Sequence, residues 1–324
     1  MEQAIVVGAG PCGLAAAIEL QNIGLNPLVI EKYNIVHSIY RYPTNLQFFS
    51  TAELLEIADI PFSTPNEKPF RREALEYYRN VAQRRNVRLH TYEEVVSVSK
   101  EHGRFIVTSE RKGKSHRYEA ATVVVATGYF DRPNMIGIPG ETLEKVSHYF
   151  QEPHPYAGTK VAIIGGNNSA VDAAMELVRV GADVTIVYRG TKERQKIKPW
   201  VSPLFEGQIA KGKINMLYES RVIRIAEDTI TVENPDGSTT VMDNDFVLAL
   251  TGFRPDRVLL GGTGAELRED TGAPVYDPET METSVKGLYV AGVVASGEDA
   301  NEIFIESGRK HGTLIARHIA AGRP

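Results

Sequence analysis

Two stretches of the chain carry the same succession of apolar and polar positions. Residues 4–31 read AIVVGAGPCGLAAAIELQNIGLNPLVIE. The apolar run 4–7 predicts a buried strand, since it is short and ends at glycines. An Ala/Leu-rich segment follows and predicts a helix over 11–22. Gly24 ends it, and 26–30 predicts a second apolar strand. Strand, glycine turn, helix and strand make one βαβ unit of near-minimal length. Residues 160–189, KVAIIGGNNSAVDAAMELVRVGADVTIVYR, repeat the design with Gly181 as the stop. Two such openings predict an α/β protein with two Rossmann-like dinucleotide-binding domains.

The intervening pattern is less regular. Residues 33–69 predict an irregular stretch, 71–86 a charged helix, and 87–127 a β-rich segment whose buried strand 123–126 ends at Thr127-Gly128. Beyond the second unit come a hairpin signal at 234–237, a buried strand at 246–250 and a last strand at 288–291 ending at Gly292. A helix from about 302 to 321 follows. No low-complexity run or Pro/Ser-rich linker interrupts the chain.

The first glycine turn is Gly8-x-Gly10-x-x-Gly13. Its glycines permit a tight turn, close approach of a pyrophosphate and close helix–strand packing, with the helix start facing the anion. Glu31 ends the next strand, where an acid accepts hydrogen bonds from an adenosine ribose and repels a 2′-phosphate. The second turn, Gly165-Gly166-Asn167-Asn168-Ser169-Ala170, has Asn167 where the second glycine is expected. Asn tolerates unusual φ better than most residues, which keeps the turn feasible. Here the strand ends at Arg189, with Arg194 five residues on; cations at that place suit the 2′-phosphate of NADPH. One unit thus suits FAD or NAD and the other NADPH.

Composition narrows the classes. With 324 residues there is room for two ordinary domains, and 42% hydrophobic with 24% charged residues is globular composition. A net charge of −5 offers no basic surface to nucleic acid or an anionic membrane. The opening MEQAIVVGAG lacks a signal-peptide pattern, and no apolar run approaches the roughly 20 residues of a membrane span. A soluble, cytoplasmic protein is expected. One cysteine excludes an internal disulfide, a Cys-rich zinc site and a CxxC couple. No metal is expected, because no HExxH or His/Cys cluster emerges.

GAGPCGLAAAIEL, the ATG at 126–128, IGGNNSAVDAA, YRGTKER and GLYVAG occur in this order. Together they resemble the two-dinucleotide-binding-domain flavoproteins, in the size range of the thioredoxin reductase-like members. The resemblance implies an FAD domain over 1–150 and 286–324 with an NADPH domain inserted at 151–285. Two departures mark the subfamily. The CxxC of thioredoxin reductases is missing from VSHYFQEPHPYAGTK, and the usual Gly-Asp after the last FAD strand is Gly292-Val293. GPCG, YPTNLQFFSTAELLEIADIPF (42–62) and ANEIFIESGRKHG (300–312) are similar to the bacillithiol disulfide reductases.

That resemblance implies an NADPH-dependent FAD enzyme reducing a small-molecule thiol disulfide, as a cytoplasmic homo-oligomer, dimer or tetramer. It places FAD at Gly8, Gly10, Pro11, Cys12, Gly13, Glu31, Lys32, Phe49, Ser50, Thr51, Val96, Ala126, Thr127, Gly128, Gly292, Ile303 and Phe304. NADPH falls at Gly165, Gly166, Asn167, Asn168, Ser169, Arg189, Arg194, Thr251 and Gly252. Cys12 matches the family's reactive thiol. A place in the first helical turn lowers a thiol pKa, whereas a neighbouring pyrophosphate raises it, and a buried cysteine also serves as a small hydrophobe. Catalysis and packing both stay open for Cys12. His148, Tyr149 and His154 occupy the place of the missing CxxC, either near a cleft or simply as connecting chain. Ferredoxin–NADP reductase and flavin monooxygenase are the alternative activities.

Overall fold

The computed structural model describes residues 1–297 and 302–322. It divides into two compact units. The first holds Met1–Arg41, Asn45–Arg132 and Phe253–Pro324; the second holds Tyr42–Thr44 and Pro133–Gly252.

The first unit opens with β1 (Glu2–Val7), α1 (Pro11–Asn22) and β2 (Leu28–Ile30). The stretch expected to be irregular contains two single-turn helices, α2 (His37–Tyr40) and α3 (Ala52–Leu55), before the charged helix α4 (Arg71–Arg84). Strands β3 (Arg88–His90), β4 (Glu94–Glu101), β5 (Arg104–Arg111) and β6 (Lys114–Val125) complete the first pass. One sheet runs β3-β2-β1-β6-β5-β4. Strand β6 serves two neighbourhoods. Its first half pairs antiparallel with β5 and alternates in exposure; its last residues, buried on both faces, pair parallel with β1. Parallel strands covered on both sides read as unbroken apolar runs, which explains TVVV here and AIVV in β1.

The second unit is built from β7 (Val146–Ser147), β8 (Lys160–Ile164), α5 (Asn168–Arg179), β9 (Asp183–Val187), α6 (Ser202–Ala210) and β10 (Ile214–Leu217). The antiparallel strands β11 (Arg221–Ile225), β12 (Thr229–Glu233) and β13 (Thr239–Asp243) follow, then β14 (Phe246–Ala249). The parallel sheet runs β10-β9-β8-β14-β7. Alternate residues of β8 feed two cores. Val161 and Ile163 pack with Ala170, Ala173, Ala174 and Leu177 of α5, while Ala162 joins Val222, Ile230 and Val232 of the antiparallel sheet.

The chain then returns to the first unit through α7 (Arg257–Gly262) and β15 (Leu288–Val290), which pairs parallel with β6. The junctions lie at 132/133 and 252/253 rather than at the expected 150/151 and 285/286. Residues 133–150 join the second unit because β7 pairs with β14 and the Ile225 N–H donates to the Pro139 carbonyl at 2.9 Å. Residues 253–285 join the first, where Arg254 N–H donates to Arg132 at 3.0 Å and Glu282 bridges Tyr289 of β15.

The expected terminal helix is two, α8 (Ile305–Gly308) and α9 (His311–Ala321). Glycine is a weak helix former, yet two glycines sit where this segment meets α1. A Cβ on Gly308 would lie 2.8 Å from Cys12 Sγ, and one on Gly312 would lie 2.7 Å from Ala16 Cα. Close docking against α1 selects glycine at the expense of helix continuity. Gly312→Ala separates the two effects. Propensity alone would stabilise by about 1 kcal/mol, but the crowded backbone contact costs about 1–3 kcal/mol. Urea denaturation should show a net loss of stability; a gain would show that the contact yields freely.

Candidate functional site

The first glycine turn is shaped by absent side chains. Gly8 has φ +106, and a Cβ there would lie 2.5 Å from the Ala126 carbonyl oxygen. A Cβ on Gly13 would overlap the Gly8 carbonyl oxygen, so α1 starts directly against the end of β1. Gly10 caps α1 with open space beside it, Pro11 follows, and no acid lies in the first turn. The turn is also held from outside. Val36 donates its N–H to the Ala9 carbonyl at 3.0 Å while held at φ 47, a left-handed conformation costing a β-branched residue about 1–2 kcal/mol.

Glu31 binds this turn directly. Its carboxylate accepts the Ala9 N–H at 2.7 Å and the Tyr33 N–H at 2.9 Å. Burial raises its pKa, and the two N–H bonds act against that rise. Each oxygen keeps a lone pair for a further donor. Lys32 pairs with Glu94 at 3.0 Å. Val96 is exposed at a register shift in β4. Beyond Ala126, Thr127 has a buried hydroxyl with no hydrogen-bond partner, and Gly128 turns the chain at φ +68. A buried orphan hydroxyl beside an open, acid-free helix start fits a bound phosphate-bearing cofactor.

Cys12, Gly292, Ser50 and the last helices meet here. Cys12 Sγ is wedged against Gly292 and Gly308. The Gly292 N–H donates to His311 Nδ1 at 3.2 Å. Ser50 donates to Glu306, Thr51 caps α3, and Phe49 and Phe304 are exposed. A Cβ on Gly308 would also lie 3.2 Å from Ile303 Cγ2.

The second glycine turn repeats the first. Gly165 has φ +138, and a Cβ there would lie 2.5 Å from the Leu250 carbonyl oxygen. Asn167 does not use the unusual φ allowed for it; it is extended at φ −97. Its side chain is instead occupied, accepting the Lys196 N–H at 3.0 Å, as Asn168 accepts that of Lys198 at 3.0 Å. Ser169, Arg189 and Arg194 are exposed around this turn. Thr251 and Gly252 are held by Asn134: Thr251 Oγ1 donates to the Asn134 carbonyl at 2.6 Å, and the Asn134 N–H donates to Gly252 at 2.9 Å. Sequence reading passed over Asn134, whose only signal is its neighbour Pro133.

Residues 5–292 match the model of the pyridine nucleotide-disulphide oxidoreductase family. The chain belongs to that family. Bacilliredoxin reductase Bdr of Bacillus subtilis is 48% identical over 320 residues, 98% of each chain. The solved bacillithiol disulfide reductase Bdr from Bacillus cereus is 50% identical, covers 99% of both chains and superposes with a TM-score of 0.97. A ferredoxin–NADP reductase of Ignicoccus hospitalis is 30% identical over 99% of each chain.

For a disulphide oxidoreductase the single thiol is decisive. Burial pushes the Cys12 pKa up to about 12. Desolvation disfavours the thiolate. The residues in place of a CxxC lie in the second unit: His148 is half-buried 3.5 Å from Glu141, and His154 opens a short 3-10 turn. Among the described residues, no group of three or more His, Cys, Asp or Glu is placed to hold a metal, and no helix is long and apolar enough to cross a membrane.

His311, which sequence reading left unassigned, is kept neutral by burial, with its pKa lowered from 6.5 to about 4. The unfolded chain takes up a proton below pH 6.5 that the folded chain refuses. Stability from this group is therefore complete above pH 6.5 and falls as pH drops toward 4, by about 3 kcal/mol. Urea unfolding of His311→Gln should lose about that much less than wild type between pH 7 and 4. Equal pH slopes would contradict the neutral, Gly292-bound imidazole.

Proposed function

We propose that the chain is an NADPH-dependent FAD enzyme that reduces bacillithiol disulfide to two thiols. The observation that carries this reading is the opposite charge at two otherwise equivalent turns, Glu31 at the first and Arg189 at the second. The full-length likeness to Bdr supports the substrate. FAD belongs to the first unit and NADPH to the second. The same reading makes the enzyme a cytoplasmic homo-oligomer, dimer or tetramer.

In this assignment the start of α1 receives the FAD pyrophosphate on N–H groups beyond Gly10. Glu31 accepts from the adenosine ribose with its remaining lone pairs, and the Thr127 hydroxyl gains a partner. Arg189 and Arg194 meet the 2′-phosphate of NADPH. The flavin supplies two-electron transfer between the nicotinamide and the disulfide. Overall, NADPH, one proton and one disulfide give NADP⁺ and two thiols.

Cys12 is the thiol assigned to the substrate sulfur, on a condition the structure sets. With a pKa of about 12 it rests protonated, and only the thiolate attacks a disulfide. Disulfide reduction should therefore climb between pH 7 and 9 while NADPH oxidation by a dye stays flat. Cys12→Ala should keep FAD and dye reduction but lose disulfide reduction; full retention would return Cys12 to a packing role between two glycines. The activity itself is tested by NADPH consumption with bacillithiol disulfide, with ferredoxin, and with oxygen plus an organic substrate. The expected result is two thiols per NADPH with the disulfide alone; consumption no faster than the oxidase background would reject it.

A further inference from the structure

Asn167 stands where the fingerprint wants glycine, and its side chain is engaged. The segment 189–198, RGTKERQKIK, carries five cations and one acid. It is fastened to the glycine turn at several points. Asn167 Oδ1 accepts the Lys196 N–H and Asn168 Oδ1 the Lys198 N–H, both at 3.0 Å. Gln195 Nε2 donates to the Gly166 carbonyl at 2.8 Å, and the Tyr218 hydroxyl donates to Gln195 Oε1 at 3.1 Å. The Tyr188 ring fills the space beside Gly166 and Gly190, and its hydroxyl donates to the Arg194 carbonyl at 3.2 Å. The segment is thereby spread across the start of α5 rather than left as a loose loop.

The cations on it are not equivalent. Lys192 pairs with Glu206 at 3.4 Å, and Lys198 lies over the Trp200 ring at 5.7 Å. Arg189, Arg194 and Lys196 are exposed on the fastened segment. We propose that Asn167 and Asn168 are positioning residues that hold Lys196, with Arg189 and Arg194, in register for the 2′-phosphate and so set the preference for NADPH over NADH. This rests on the NADPH reading above. Backbone hydrogen bonds to a side chain fix a loop without spending its charges, which stay available for a phosphate.

The inference opposes the fingerprint's own logic. Restoring glycine at 167 should ease approach of a pyrophosphate and tighten both nucleotides alike. Unfastening the segment should weaken only the nucleotide that carries the 2′-phosphate. The test titrates NADP⁺ and NAD⁺ into the purified FAD-loaded enzyme and its variants by fluorescence or calorimetry. Asn167→Gly should raise the Kd for NADP⁺ about tenfold while the Kd for NAD⁺ holds or falls. Lys196→Ala, an exposed change that leaves the fastening intact, should raise the NADP⁺ Kd about threefold and leave NAD⁺ alone. An unchanged NADP⁺/NAD⁺ ratio in both variants, or a parallel loss of both nucleotides, would overturn the inference while leaving the NADPH reading standing. A wild-type ratio near one would overturn the NADPH reading and the inference with it.

Discussion

Both units depend on one constraint: a helix must begin where a parallel strand ends, with no side chain between them. In the first unit the Gly13 backbone lies against the Gly8 carbonyl, and Gly8 lies against Ala126. In the second, Gly165 lies against Leu250. The contacts put the first turn of each helix at the carboxyl edge of its sheet, where unpaired N–H groups face outward. A methyl group on Gly13 would push α1 away from β1, and one on Gly165 would clash with the chain at the end of the neighbouring strand β14. The strand order, with β1 and β8 central in their sheets, places each corner at the crevice where a parallel sheet binds its ligand.

In the proposed reading, what each corner accepts is decided by charge just beyond the next strand. Glu31 is buried and tied to the Ala9 and Tyr33 N–H groups, so it presents a fixed acceptor. Arg189 is exposed and followed by a cationic segment fastened to the asparagine pair. The chain's one thiol lies at the first corner, between Gly292 and Gly308. With no internal dithiol, the electrons that reach the flavin have at most one protein thiol between them and the substrate.

Much of this was legible in the sequence for a physical reason. Close backbone approach permits only glycine, and strands covered on both faces permit only apolar runs, so 4–31 and 160–189 announce themselves. Helix α1 matches its expected bounds; Glu31 directly follows β2, whereas β9 ends at Val187, before the expected strand end at Arg189. The illegible parts depend on tertiary contacts. The unit junctions at 132/133 and 252/253 are not legible, because the two-residue strand β7 carries no pattern of its own and is defined by pairing with β14. The break between α8 and α9 arises from docking on α1. Nothing beside Asn167 in the sequence announces its hydrogen-bond partner, which lies 29 residues on. The Cys12 pKa follows from burial, which local sequence does not encode.

The central claim is that electrons enter from NADPH at the cationic corner and leave through the flavin to a small disulfide. It is tested most directly by the absorbance of the purified enzyme under anaerobic titration. One equivalent of NADPH should bleach the flavin, NADH at the same concentration should do so far more slowly, and one equivalent of bacillithiol disulfide should then restore the yellow colour. A flavin that both nucleotides bleach equally, or that stays bleached after the disulfide is added, would contradict the account.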